Sequence, residues 1–188
     1  MISGCRSNKF EFDGEKGNKN MDTLIFEKFR QECSEKLPKV IDEILSLGKA
    51  ESLGAIGFIT TDDFYGYYVT WNFGDDIEID EYYDWENDDI SENTDFLYQT
   101  LVDIVDGCKE IDFCNPSEEK WDFALTLLTT MGEIIKQLPD DIFLKNNFKK
   151  ENILFFSTMD TGDYMQEMLD ESVKKFNTKE TLEVFECL

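Results

Sequence analysis

The chain contains no histidine. That removes the commonest general base near neutral pH and the commonest protein ligand for transition metals. Nucleophilic catalysis through a His-activated serine or cysteine is excluded with it. Cysteine is little help as a replacement. Cys5, Cys33, Cys108, Cys114 and Cys187 include no CxxC pair, and an odd number makes no disulfide framework. The pattern suits neither zinc nor a secreted disulfide scaffold, so a reducing cytoplasm is the expected compartment. There is no GxSxG nucleophile elbow, no GxxxxGK[ST] phosphate loop, and no apolar run long enough to span a membrane.

Positive charge is the second scarcity. Lysine and arginine total 18 against 42 aspartates and glutamates, for a formal charge of −24 over 188 residues and a pI near 4.1. Between residues 50 and 108 there is no lysine or arginine at all. Such a field repels phosphate backbones and anionic lipid surfaces, which excludes nucleic acid and membrane as partners. It attracts a basic protein or a metal ion; the plainer reading is solubility. Hydrophobic residues are nonetheless 41% and aromatics 14%, including 16 phenylalanines. A disordered acidic chain does not carry that much apolar material, so the charge sits on a folded body.

What is present is organised around residues 56–95. Two apolar runs, IGFIT at 56–60 and YGYYVTWNF at 65–73, flank a short polar turn and predict a β-hairpin. Before them, residues 22–47 carry Phe26, Phe29, Cys33, Leu37, Val40, Ile41 and Ile44 at helical spacing, with Pro38 expected to kink or divide the helix. After them, Ile77 and Ile79 alternate with acids and suggest a weak third strand. A helix is expected from Ser91, with Phe96, Leu97, Thr100, Leu101, Ile104 and Val105 on one face and Gly107 at its end. Asn115, Pro116 and Glu118 predict the next helix start, with Asn115 as cap. Its stripe is Trp121, Ala124, Leu125, Leu128, Met131, Ile135 and Leu138. The run NILFFST at 152–158 predicts a buried, central strand. A helix with Met165, Met168, Leu169, Val173 and Phe176 inward follows, then a last short one capped near Asn177 and Thr178.

The expected fold is α+β: a small, mostly antiparallel sheet, hairpin plus a later strand, covered by helices in a single domain over residues 21–188. Residues 1–20 read as a flexible tail. Within it, ISGC at 2–5 has the form of a lipoprotein cleavage box, but only Met1 precedes it and a chance match is expected; Met21 is an alternative start.

The candidate binding residues follow the hairpin directly. They are Asp75, Asp76, Glu78, Asp80, Glu81, Tyr82, Tyr83, Asp84, Trp85, Glu86, Asp88 and Asp89. Read as a calcium loop from Asp76, the ligand positions hold Asp76, Glu78 and Asp80. Glu81 then stands where glycine is needed and Asn87 where the bidentate glutamate is needed. A start at Asp160 puts Met165 at the glycine position. No cofactor and no tight metal is expected. Tyr82, Tyr83 and Trp85 among these acids have two readings. Either the rings fold back onto the core, or they are anchors of a protein interface with the acids as surround. Paired carboxylates could also serve a glycosidase, but so many acids make that signal nearly empty.

The hairpin string GAIGFITTDD at 54–63 resembles the YAFxLYTDD element of a bacterial family catalogued as domain of unknown function four-three-zero-three. The placement of Trp121 is similar, as are ILFFS at 153–157 and ESVKKFN at 171–177, so that the resemblance spans about residues 22–188. Gly57 departs from the family pattern, where a larger residue is usual. Members resemble immunity proteins encoded beside secreted bacterial toxins, and the resemblance brings no catalytic residues with it. It implies a non-enzymatic inhibitor of a toxin domain, with a basic nuclease as the partner that an acidic face would fit. The alternatives are a DNA-mimicking inhibitor and a carboxylate enzyme dependent on a divalent metal.

Overall fold

The computed structural model describes residues 23–48, 53–75, 77–85 and 97–185. The tail, Cys5, Met21 and the expected helix start at Ser91 lie outside them. In chain order the elements are helix α1 (Thr23–Leu47), strands β1 (Leu53–Thr60) and β2 (Tyr67–Gly74), a 3-10 helix (Ile79–Asp84), helices α2 (Tyr98–Gly107), α3 (Glu118–Lys136) and α4 (Asp140–Leu144), a second 3-10 turn (Lys150–Asn152), strand β3 (Ile153–Met159), and helices α5 (Met165–Phe176) and α6 (Lys179–Val184).

The fold is α+β, as the residue pattern predicts, and the hairpin and the later run share one sheet of order β2-β1-β3. β1 and β2 are antiparallel, from Thr60↔Tyr67 beside the turn to Leu53↔Gly74 at the far end. β3 runs parallel to β1, from Gly54↔Ile153 to Thr60↔Met159. Among the described residues no helix is long and apolar enough to cross a membrane.

Alternation along the strands sends side chains to two separate cores. On one face Ile56, Phe58, Val69, Ile153 and Phe155 meet α1, α2 and α3 through Phe29, Leu37, Ile41, Leu101, Ile104, Phe123 and Leu127. On the other, Ala55, Ile59, Leu154 and Phe156 meet Tyr82, Val173 and Leu182, with Ile77, Ile79 and Trp85 packed against them.

Four expectations are corrected. α1 is one element of 25 residues with Pro38 inside it, so the helix is not divided there. Pro38 leaves one carbonyl without its helical donor, but Phe29, Cys33, Leu37, Val40, Ile41 and Ile44 are all buried on both sides of it, and that stripe holds the helix together against the sheet. The cap of α3 is Ser117, whose hydroxyl accepts from Lys120 N–H at 3.1 Å; Asn115 instead donates to Asp112 at 2.8 Å. Ile77 and Ile79 do not continue a strand, because the chain coils into the 3-10 helix there.

The fourth correction concerns β3. It is buried along its whole length, as its apolar run implies, yet it is an edge strand and β1 is central. Helix α5 stands where a further strand would be. Asn177 accepts from Phe155 N–H (2.8 Å) and donates to Phe155 C=O (2.6 Å). Ser172 Oγ accepts from Ser157 N–H (2.7 Å) and donates to Ser157 C=O (2.8 Å). Two side chains thus close the polar edge that a bare strand would offer to another chain.

Candidate functional site: an acidic, tyrosine-bearing surface

The segment after β2 is held down by its apolar positions. Ile79, Tyr82 and Trp85 recur every three residues, which places them on one side of a 3-10 helix. All three pack against the second core, where Tyr82 and Trp85 share Phe156 as support. Tyr82 and Trp85 lie with ring centroids 6.0 and 5.7 Å from it. The Tyr82 hydroxyl donates to Met159 C=O at 3.1 Å. Phe156 can occupy this place because Gly57 lies beneath it: a β-carbon at Gly57 would overlap the Phe156 ring. Glycine at residue 57 therefore has a local cause.

The outward positions are Asp75, Glu78, Glu81 and Tyr83, all exposed. Tyr83 is 70% exposed, its ring set edge-on against Tyr82 at 5.9 Å. The three rings of this segment thus divide. Tyr82 and Trp85 fold back onto the sheet and Tyr83 stands in solvent. Asp76, Glu86, Asp88 and Asp89 lie outside the described residues, as do the side chains of Asp80 and Asp84.

Further tyrosines surface near the turn end of the hairpin, and the sequence reading did not single them out. Tyr68 on β2 is 43% exposed. Burial of the rest of its ring, then Tyr82 and Asp160, push its hydroxyl up to about 12. Burial raises Tyr82 as well, with Asp160 next in effect. Tyr65 donates to Asp106 Oδ1 at 3.2 Å, and that carboxylate pushes its pKa up. Tyr98 is exposed and lies against Gly66, whose positive φ leaves no room for a side chain. The available signal was alternation. In YYVTW the odd positions are core residues, so Tyr68 must face the other way.

The turn itself is tightly tied. Thr61 Oγ1 donates to Asp63 Oδ1 (2.6 Å) and accepts from Tyr65 N–H (3.0 Å). Asp62 accepts from Lys120 Nζ at 2.9 Å, and Lys120 has no exposed side-chain surface. Gly162, in the loop after β3, sits so close to the Asp62 carboxylate that any β-carbon would overlap it. Tyr164 then donates to Ser117 C=O (2.8 Å) and lies over Trp121. Loops at the carboxyl ends of parallel strands are a frequent ligand position. Here a buried cation and its carboxylate fasten the turn to α3, and neither is offered to a substrate in an open cleft. Among the described residues no three Cys, Asp or Glu side chains are grouped to hold a metal.

Charge is distributed unevenly. On the helices, Lys28 pairs with Asp103, Arg30 with Glu133, Lys145 with Asp42, Lys174 with Glu171 and Lys179 with Glu183. Exposed pairs of this kind add little stability, but they cancel charge locally. The groove between α1 and α2, bordered by Lys28, Arg30 and Asp103, is neutralised in this way. Residues 50–108 supply no lysine or arginine of their own, and within them Asp62 and Asp103 are paired from outside the stretch, by Lys120 and Lys28. Comparison with known families, curated proteins and solved structures returns no match to this chain.

Proposed function

We propose that this chain is a non-enzymatic immunity protein of the bacterial cytoplasm that binds and neutralises a basic toxin domain, such as a nuclease. The observation that carries the reading is Tyr83. It is 70% exposed, backed by Tyr82 on Phe156, and flanked in the sequence by Glu81, Asp84 and Glu86 in a stretch free of lysine and arginine. An exposed, well-supported tyrosine within a charged surround is the composition of an interface hot spot. A nuclease cleft is built to hold phosphates, so an acidic surface complements it and speeds encounter. The resemblance of residues 54–63 to an immunity-like family points the same way. Cells producing the cognate toxin supply the test, with binding kinetics measured beside it. Replacing Asp75 and Glu81 by Asn and Gln should mainly slow association, and less so at high salt. Tyr83→Ala should mainly speed dissociation. If folded chains lacking both the acids and Tyr83 still protect fully, the proposal fails.

A further inference from the structure

We infer that Tyr68 and Asp160, with Tyr82 as the floor between them, form a receptor for an arginine side chain of the basic partner. The inference rests on the binding reading above and names the partner group that this surface takes. Tyr68, Ile59 and Thr158 lie side by side across β2, β1 and β3. Strands about 4.8 Å apart put Tyr68 and Thr158 on the order of 10 Å from each other. Asp160 follows Thr158 by two residues, so alternation puts it on the same side as Tyr68, and its charge acts on the Tyr68 hydroxyl. Tyr82 covers the floor, its hydroxyl ending on Met159 C=O immediately before Asp160. Asp160 is held by its own N–H, which donates to Thr60 C=O at 2.9 Å, and by the Thr161 hydroxyl at 3.3 Å from Oδ1. Both Tyr68 and Asp160 are exposed, and among the described residues no lysine or arginine pairs with Asp160.

A half-open ring beside an unneutralised carboxylate selects among cations. Guanidinium is planar, stacks on a tyrosine face and forms a forked pair with a carboxylate. An ammonium satisfies the carboxylate as a point charge and gains less from the ring. Burial first, then the neighbouring Tyr82 and Asp160, raise the Tyr68 hydroxyl, so all three groups lie close together here.

The test uses the full chain with labelled tyrosine rings. It is titrated at low salt with serine peptides carrying, at alternate positions, arginine, lysine or uncharged citrulline. The arginine peptide should shift the Tyr68 ring, leave Tyr98 unmoved, and bind roughly five- to tenfold tighter than the lysine peptide. Asp160→Asn and Tyr68→Ala should each erase that preference. Tyr68→Phe should keep it, since the ring stacks without its hydroxyl. All three variants are checked by an unchanged melt. Equal affinity for arginine and lysine, a preference that survives Asp160→Asn, or no binding of either cation overturns the receptor. Toxin protection that persists in those cases leaves the immunity reading standing. An arginine-selective site in a chain that protects against no toxin removes that reading and keeps the site.

Discussion

Lys120 has no exposed side-chain surface, yet its Nζ lies 2.9 Å from Asp62, a residue one-third open to water. The two ends of this pair are therefore unequal. Losing Asp62 strands a buried ammonium, whereas losing Lys120 leaves a carboxylate that can rehydrate. Asp62→Asn should cost about 3 kcal/mol or more in urea unfolding, and Lys120→Met about 1 kcal/mol or less. Equal losses would mean that the pair is not the source of the effect.

Tyr83 and Trp85 should separate in the same experiment. Trp85 packs on Phe156, so Trp85→Ala removes core contact and should destabilise the free chain by about 2–3 kcal/mol. Tyr83→Ala should leave the melt within about 0.5 kcal/mol. If Tyr83 is the interface anchor, the same change should cost about 2 kcal/mol of binding to the toxin. A stable Trp85→Ala chain would show that the ring contributes nothing to the fold.

Asn177 supplies both a donor and an acceptor to Phe155 and a second donor to Val173 C=O at 2.9 Å. Asn177→Ala leaves these buried groups unpaired and should cost about 2–4 kcal/mol. Asn177→Asp keeps the acceptor but loses both donors, so it should not rescue. Hydrogen exchange at the Phe155 amide should accelerate in either variant. An unchanged rate would show that α5 does not close this edge.

Alkali should act through the tyrosines. Burial raises Tyr67, and Tyr68 is pushed up to about 12 from the ordinary 10.0. The folded chain holds these protons after the unfolded chain has released them. This contribution to stability is whole below pH 10 and declines as pH rises through the folded values. Tyrosinate absorbance in the folded chain should therefore lag that of a urea-unfolded control. Coincident titration curves would contradict the burial of both rings.

Much of the architecture was legible because apolar spacing reports burial. The hairpin, α1, β3 and Ala124, Leu128, Met131 and Ile135 of α3 announce themselves in this way, whereas the buried Phe123 and Leu127 fell outside the stripe read for α3. What burial does not report is which neighbour does the burying. Asn152 to Thr158 looks like a central strand because both faces and one edge are covered. The edge cover comes from Ser172 and Asn177, polar residues with no apolar signature. Lys120 was invisible for the opposite reason, since a charged residue at a helical position is expected outside. At the candidate site, the acids and Tyr83 were readable as a local string. Tyr68 was not, nor was its nearness to Asp160, because the two are joined only by strand register across β1.

The position of β1 between β2 and β3 also sets an order of events in time. Its antiparallel neighbour is reached through a short turn, but its parallel neighbour begins only at Ile153. Local pairing forms quickly, while the distant pairing must wait for loop closure over the intervening chain. During synthesis one edge of β1 stays unpaired until β3 emerges, at a stage when exposed strands associate readily. The acidic, cation-free stretch emerges directly behind the hairpin. Its mutual repulsion between nascent chains would keep those open edges apart, a service rendered before any partner is met.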